Sequence, residues 1–134
     1  MNAKERLLEI IGAQPEAQSG GAVVTIDEFF TGNADLGSIG CNLSKHPGLA
    51  FFRKRLEELQ SRPDVTAVWL EIYDTDEGDW PFSENVIIQG PIAEADVRKL
   101  GEKLEPSEIW RREFDSPHSR DSRLVGPVWI LWWD

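Results

Sequence analysis

At 134 residues and 15.2 kDa, the chain fits one domain. It is too short for a barrel of eight strand–helix units or a complete dinucleotide-binding fold. A hydrophobic fraction of 40% and a charged fraction of 28% allow a packed core. A formal charge of −10 disfavours phosphate backbones and anionic lipid surfaces, so neither nucleic acid nor a membrane is an expected partner.

Residues 3–13 have the spacing of a short helix, with Leu7, Leu8 and Ile11 on one side. The following Pro15 to Gly21 has the composition of a linker, so residues 1–21 are expected to form a helical arm ahead of a single α+β domain over 22–134. Ala22-Val23-Val24 reads as a brief extended stretch. Thr25-Ile26-Asp27-Glu28 has the form of a capping box and predicts a short helix carrying Ile26, Phe29 and Phe30, stopped near Gly32-Asn33. Ile39, Cys41 and Leu43 alternate with Ser38, Gly40 and Asn42, which predicts a strand over 38–43 with Cys41 facing a core.

Leu49, Phe52, Leu56 and Leu59 recur on one helical face and predict a helix over 47–61, ended at Arg62-Pro63. Val65 to Tyr73 is β-branched and aromatic, a strand with Val68, Leu70 and Ile72 on one face and Trp69, Glu71 and Tyr73 on the other. Asn85 to Gln89 is its hairpin partner across a long polar loop. A helix over roughly 93–104, a strand over 108–114 and a strand over 128–133 that is apolar on both faces complete the order. From residue 38 onward this is β-α-β-β-α-β, the ferredoxin-like order, with an extra C-terminal strand and an N-terminal helical arm.

The acidity is concentrated. Residues 63–90 hold Asp64, Glu71, Asp74, Asp76, Glu77, Asp79 and Glu84 with no Lys or Arg. Four of these carboxylates fall in the hairpin loop, beside Trp80. That composition suits contact with a basic protein, with Asp74, Asp76, Glu77, Asp79 and Trp80 as the candidate partner-binding residues. The function expected on this reading is that of a non-enzymatic interaction protein, an inhibitor or regulator of the immunity or antitoxin kind. A solvated turn whose charges block strand-edge association is the plainer alternative. A calcium loop does not fit: where that motif needs Gly and then Glu, the chain has Asp79 and Asn85.

Six Trp are present. Trp69, Tyr73, Trp129 and Trp132 are candidates for an aromatic pocket on an open sheet face, which would suit a small enzyme or a ligand-binding homodimer. Gly32 to Ser38 has a phosphate-loop outline but lacks its Lys, and reads as a turn. The one cysteine, Cys41, permits no intramolecular disulfide and suits a cytoplasmic setting. Cys41, His46 and His118 lack zinc-site spacing, no nucleophile elbow is present, and no catalytic residue, metal or cofactor is expected.

The stretch Phe29 to Leu43, then His46-Pro47-Gly48, Trp80-Pro81-Phe82-Ser83 and the closing Trp132-Trp133-Asp134, resembles small acidic bacterial proteins of an uncharacterised family. The resemblance implies a bacterial cytosolic setting and carries no catalytic residue or ligand.

Overall fold

The computed structural model describes residues 1–14, 21–75, 78–114 and 126–134; for 113, 114 and 126 the description is of the backbone alone. The elements are α1 (Ala3–Gly12), β1 (Ala22–Thr25), α2 (Ile26–Phe30), α3 (Leu49–Gln60), β2 (Ala67–Asp74), β3 (Phe82–Gln89), α4 (Glu94–Gly101), β4 (Glu108–Phe114) and β5 (Gly126–Trp132). Short 3-10 turns occupy Leu36–Ser38 and Glu102–Leu104. The fold is α+β.

The five strands form one sheet in the order β1-β2-β3-β5-β4. All four pairings are antiparallel. This is not the ferredoxin-like arrangement, because that split βαβ topology depends on a strand at 38–43. Those residues instead form the end of a 3-10 turn and a loop. The cause is local. Gly40 has φ +66°, a left-handed conformation that ends extended backbone, and a Cβ there would come within 2.8 Å of the Phe52 ring. The chain therefore turns under α3: Ile39 stays in the core, while Cys41 points outward and is exposed rather than buried. The sheet takes its first strand from Ala22–Thr25.

One face of the sheet carries the helices. Val24, Leu70, Val86, Ile88 and Leu131 pack with Leu7 and Ile11 of α1, Phe29 of α2, Phe52, Leu56 and Leu59 of α3, and Val97 of α4. The N-terminal helix is thus seated in the same core as the rest of the domain. The capping box is formed as the sequence suggested: Glu28 N–H donates to Thr25 Oγ1 at 3.0 Å, and Thr25 N–H donates to Glu28 Oε1 at 2.8 Å. The opposite sheet face holds a smaller buried group, Val23, Ile87, Val128 and Ile130, with Trp69 against it. This is why β5 is apolar on both sides. Trp129 and Leu131 enter the large core, Val128 and Ile130 the small one.

The β2–β3 pairing slips twice near its turn end. Glu71 pairs with Asn85, Ile72 with Ser83, and Asp74 with Phe82. Glu84 on β3 and Tyr73 on β2 are each left without an opposite number, two bulges that cancel in register. Bulges of this kind bend a ribbon and re-aim side chains, and here they carry the hairpin tip toward the loop after α2.

Candidate functional site: an acidic cleft at the hairpin tip

Asp35 is the residue on which the tip is built. Its backbone N–H is held by Asn33 Oδ1 at 2.9 Å. Its Oδ1 accepts from Gly37 N–H at 3.0 Å and caps the 3-10 turn. Its Oδ2 accepts from Asp79 N–H at 3.2 Å, across the chain on the hairpin. Ser38 Oγ donates to Asp35 O at 2.7 Å and accepts from Asn33 Nδ2 at 2.9 Å. The Gly32–Ser38 segment is therefore a side-chain-locked turn that clasps the hairpin. Gly32 is required twice over: φ is +83°, and a Cβ would lie 2.6 Å from the Ala3 Cβ of α1.

Between clasp and hairpin lies a cleft of about 310 Å³, lined by Asp35, Ser38, Tyr73, Asp74, Trp80 and Phe82. Its walls are of two kinds. Asp35 and Asp74 supply carboxylates, and Asp79 is exposed beside them. Tyr73 and Phe82 form an edge-on ring pair with centroids 6.0 Å apart. Tyr73, re-aimed by its bulge, is 66% exposed, and Leu36 next to the cleft wall is 53% exposed. Exposed apolar side chains among carboxylates offer what a basic side chain needs: charge for its head, and an apolar or aromatic surface for its stem or its cation–π contact.

Trp80 does not stand out as a surface anchor. It is only 5% exposed, and its indole belongs to the large core. It pins the hairpin and floors the cleft, and its Nε1–H is buried with no hydrogen-bond partner among the described residues. Such a donor is costly to leave unmet. Of the other partner-binding candidates, Asp74 lines the cleft, Asp79 bonds Asp35 through its N–H and lines the adjoining hollow against α1, and Asp76 and Glu77 lie outside the described residues.

The rest of the acidic segment is elsewhere. Asp64 is bidentate with Arg62, at 2.9 Å for each bond, and that hydrogen-bonded pair holds its carboxyl below the usual range. Glu71 accepts from Asn85 Nδ2 at 2.9 Å. Glu84, at its bulge, is pushed above the usual carboxylate range by burial. A hydrogen bond from Trp132 works the other way, and the charges of Asp134 and Glu71 add to the rise. The Cys41 thiol is likewise raised, first by desolvation and then by Glu84 and Asp134, although the residue as a whole is exposed. A thiol held protonated is a poor nucleophile.

The candidate aromatic pocket of Trp69, Tyr73, Trp129 and Trp132 is not assembled on one face. Trp69 and Trp132 share the face opposite the helices, as their strand positions require. Trp129 points the other way and donates to Ile92 O at 3.1 Å. Tyr73 sits at the cleft. His46 is a helix-entry residue: Nδ1 accepts from Gly48 N–H at 2.9 Å, Nε2 lies 2.8 Å from Ile39 O, and the ring lies against Phe52. His118 lies outside the described residues. Among the described residues, no group of three or more His, Cys, Asp or Glu is placed to hold a metal ion, and no helix is long and apolar enough to cross a membrane.

Reading the sequence alone misses Asp35, Leu36 and Phe82. The Asn33-x-Asp35-x-Gly37-Ser38 pattern does signal a side-chain-closed turn. Nothing in it signals that the turn closes on a hairpin more than forty positions away.

The comparisons with known proteins match this chain over nearly its whole length. A family model described as the Uncharacterized protein YfbO family matches residues 2–127. The Uncharacterized protein YfbO of Escherichia coli (strain K12) is 26% identical over 141 residues, covering 100% of each chain. No solved structure matches. A match of that extent places the chain by descent if not by activity: it belongs to the YfbO family, whose members are uncharacterised.

Proposed function

We propose that this chain is a non-enzymatic interaction protein, and that the cleft at the hairpin tip receives a basic side chain of a protein partner. The observation that carries the reading is the composition of the cleft. Carboxylates of Asp35 and Asp74 line the same opening as the exposed ring of Tyr73. An arginine head fits that pairing better than a lysine head, because a guanidinium both forks onto carboxylates and stacks on rings. An acidic contact of this kind speeds association with a basic protein and weakens as salt rises. The finer reading is an inhibitor or regulator acting in the cytoplasm, by covering a basic site on its target.

The test is recovery of tagged protein from its source cells, washed at low and at high salt, beside a variant with Asp76, Glu77 and Asp79 each changed to Lys. The reading expects a stoichiometric basic protein that is released by salt and lost in the variant. Equal recovery by the charge-reversed variant removes the reading.

A further inference from the structure

The cleft has a neighbour. A second hollow, of about 420 Å³, lies between the hairpin, the clasp turn and the start of α1. Asp35 and Trp80 line both spaces, so the two adjoin. The hollow is framed by small residues, Ala3, Gly32 and Ala34. Gly32 can carry nothing larger, since its Cβ would lie 2.6 Å from the Ala3 Cβ and 3.7 Å from the Trp80 ring.

The charged groups lining the hollow are the carboxylates of Asp35 and Asp79 and the ammonium of Lys4. Asp79 is exposed, and it meets Asp35 through its backbone N–H, so the clasp does not consume its carboxylate. Lys4 stands in the first turn of α1, where the helix dipole also opposes a cation.

We propose that the two spaces form one bipartite site, and that the partner offers an extended segment with two basic side chains, one for the cleft and one for the hollow. The proposal rests on the reading of the cleft given above and adds the second residue to it. Charge complementarity carries it. Two carboxylates outweigh one ammonium in the hollow, as carboxylates do in the cleft. In extended backbone, side chains two residues apart point the same way, about 7 Å from one another, which suits adjoining spaces that share a wall. The second basic head is placed beside Asp79, with its stem over Ala34. An acidic residue there would meet Lys4 but also two like charges. An apolar residue would cover those charges without pairing them. Lys4 opposes the second contact, so its neutralisation should strengthen that contact and leave the first alone.

Titration of the full chain, followed by NMR, with three capped tripeptides tests this: Arg-Gly-Arg, Arg-Gly-Gly and Arg-Gly-Glu. Arg-Gly-Arg is expected to bind about tenfold tighter than Arg-Gly-Gly. Asp79→Asn keeps the N–H that Asp35 accepts, and is expected to shrink that ratio to the statistical factor of about two. Glu9→Gln removes the same charge from an exposed position on α1 and is expected to preserve the ratio. Lys4→Gln is expected to enlarge it. Three results overturn the proposal while leaving the cleft reading in place: a wild-type ratio no greater than the statistical factor, a ratio that survives Asp79→Asn, or tightest binding by Arg-Gly-Glu that Lys4→Gln abolishes. Failure of Arg-Gly-Gly to bind, or binding of it that Tyr73→Ala leaves unchanged, overturns the cleft reading and this proposal with it.

Discussion

Asp35 joins its own turn to the hairpin through one carboxylate, so its loss should be felt beyond the turn that contains it. Asp35→Ala strips the cap from Gly37 and the bond to Asp79 N–H together. A cost of about 1–2 kcal/mol is expected by urea unfolding, with faster hydrogen exchange at Asp79. Trp80 separates packing from polarity. Trp80→Ala opens the core and should cost about 3–5 kcal/mol. Trp80→Phe also removes a buried donor that has no partner, so its cost should be well below that of the Ala variant. Glu84 carries a pH signature. Its carboxyl is raised in the fold, so the protonated form is favoured there, and its contribution to stability is present at low pH and lost as pH rises through the raised value. Glu84→Gln keeps an acceptor for Trp132 and removes that loss. Thermal unfolding of the variant should match the wild type at acid pH and lie above it near neutrality. A wild type that gains stability relative to the variant with rising pH would contradict this.

Among the elements, the Gln14 carboxamide does for β1 what another strand would do. Gln14→Ala should weaken the protection of Val23 N–H and raise its exchange rate, at a stability cost of about 1–2 kcal/mol. Val23 exchange unchanged from wild type would show that the edge is closed by other means. The elements themselves were largely legible in the sequence. The Leu49–Leu59 stripe, the Thr25–Glu28 box and the β-branched run of β2 each state a local preference that the fold respects. The alternation over 38–43 misled because period alone does not register that Gly40 sits under an aromatic ring in a left-handed turn. One lost strand changed the topology, since the ferredoxin-like order depended on it. The bulges at Tyr73 and Glu84 were equally unreadable: a register slip is decided by long-range pairing rather than by either strand's own pattern.

For the whole molecule, the position of charge was legible and its division was not. The sequence shows one acidic segment, whereas the fold sends Asp64 to Arg62, Glu71 and Glu84 to the sheet, Asp74 to the cleft and Asp79 to the adjoining hollow. The cleft owes its other wall to Asp35 and Ser38, contributed from across the chain by a turn whose distant contact no local pattern announces. The same arrangement clasps the tip against a helix-backed sheet, which suits a binding element held on a firm scaffold.

The central claim is that a basic side chain enters this cleft, and the indole N–H of Trp80 is the built-in reporter. We would titrate the ¹⁵N-labelled protein with a tri-arginine peptide, identify the Trp80 resonance by its absence in Trp80→Phe, and repeat the titration with Asp35→Asn plus Asp74→Asn. The account predicts a saturable shift of the Trp80 indole signal together with Tyr73 and Gly78. The shift should weaken in high salt and be lost in the double variant. A Trp80 signal that stays still while the peptide perturbs other surfaces, or that shifts equally in the double variant, would contradict it.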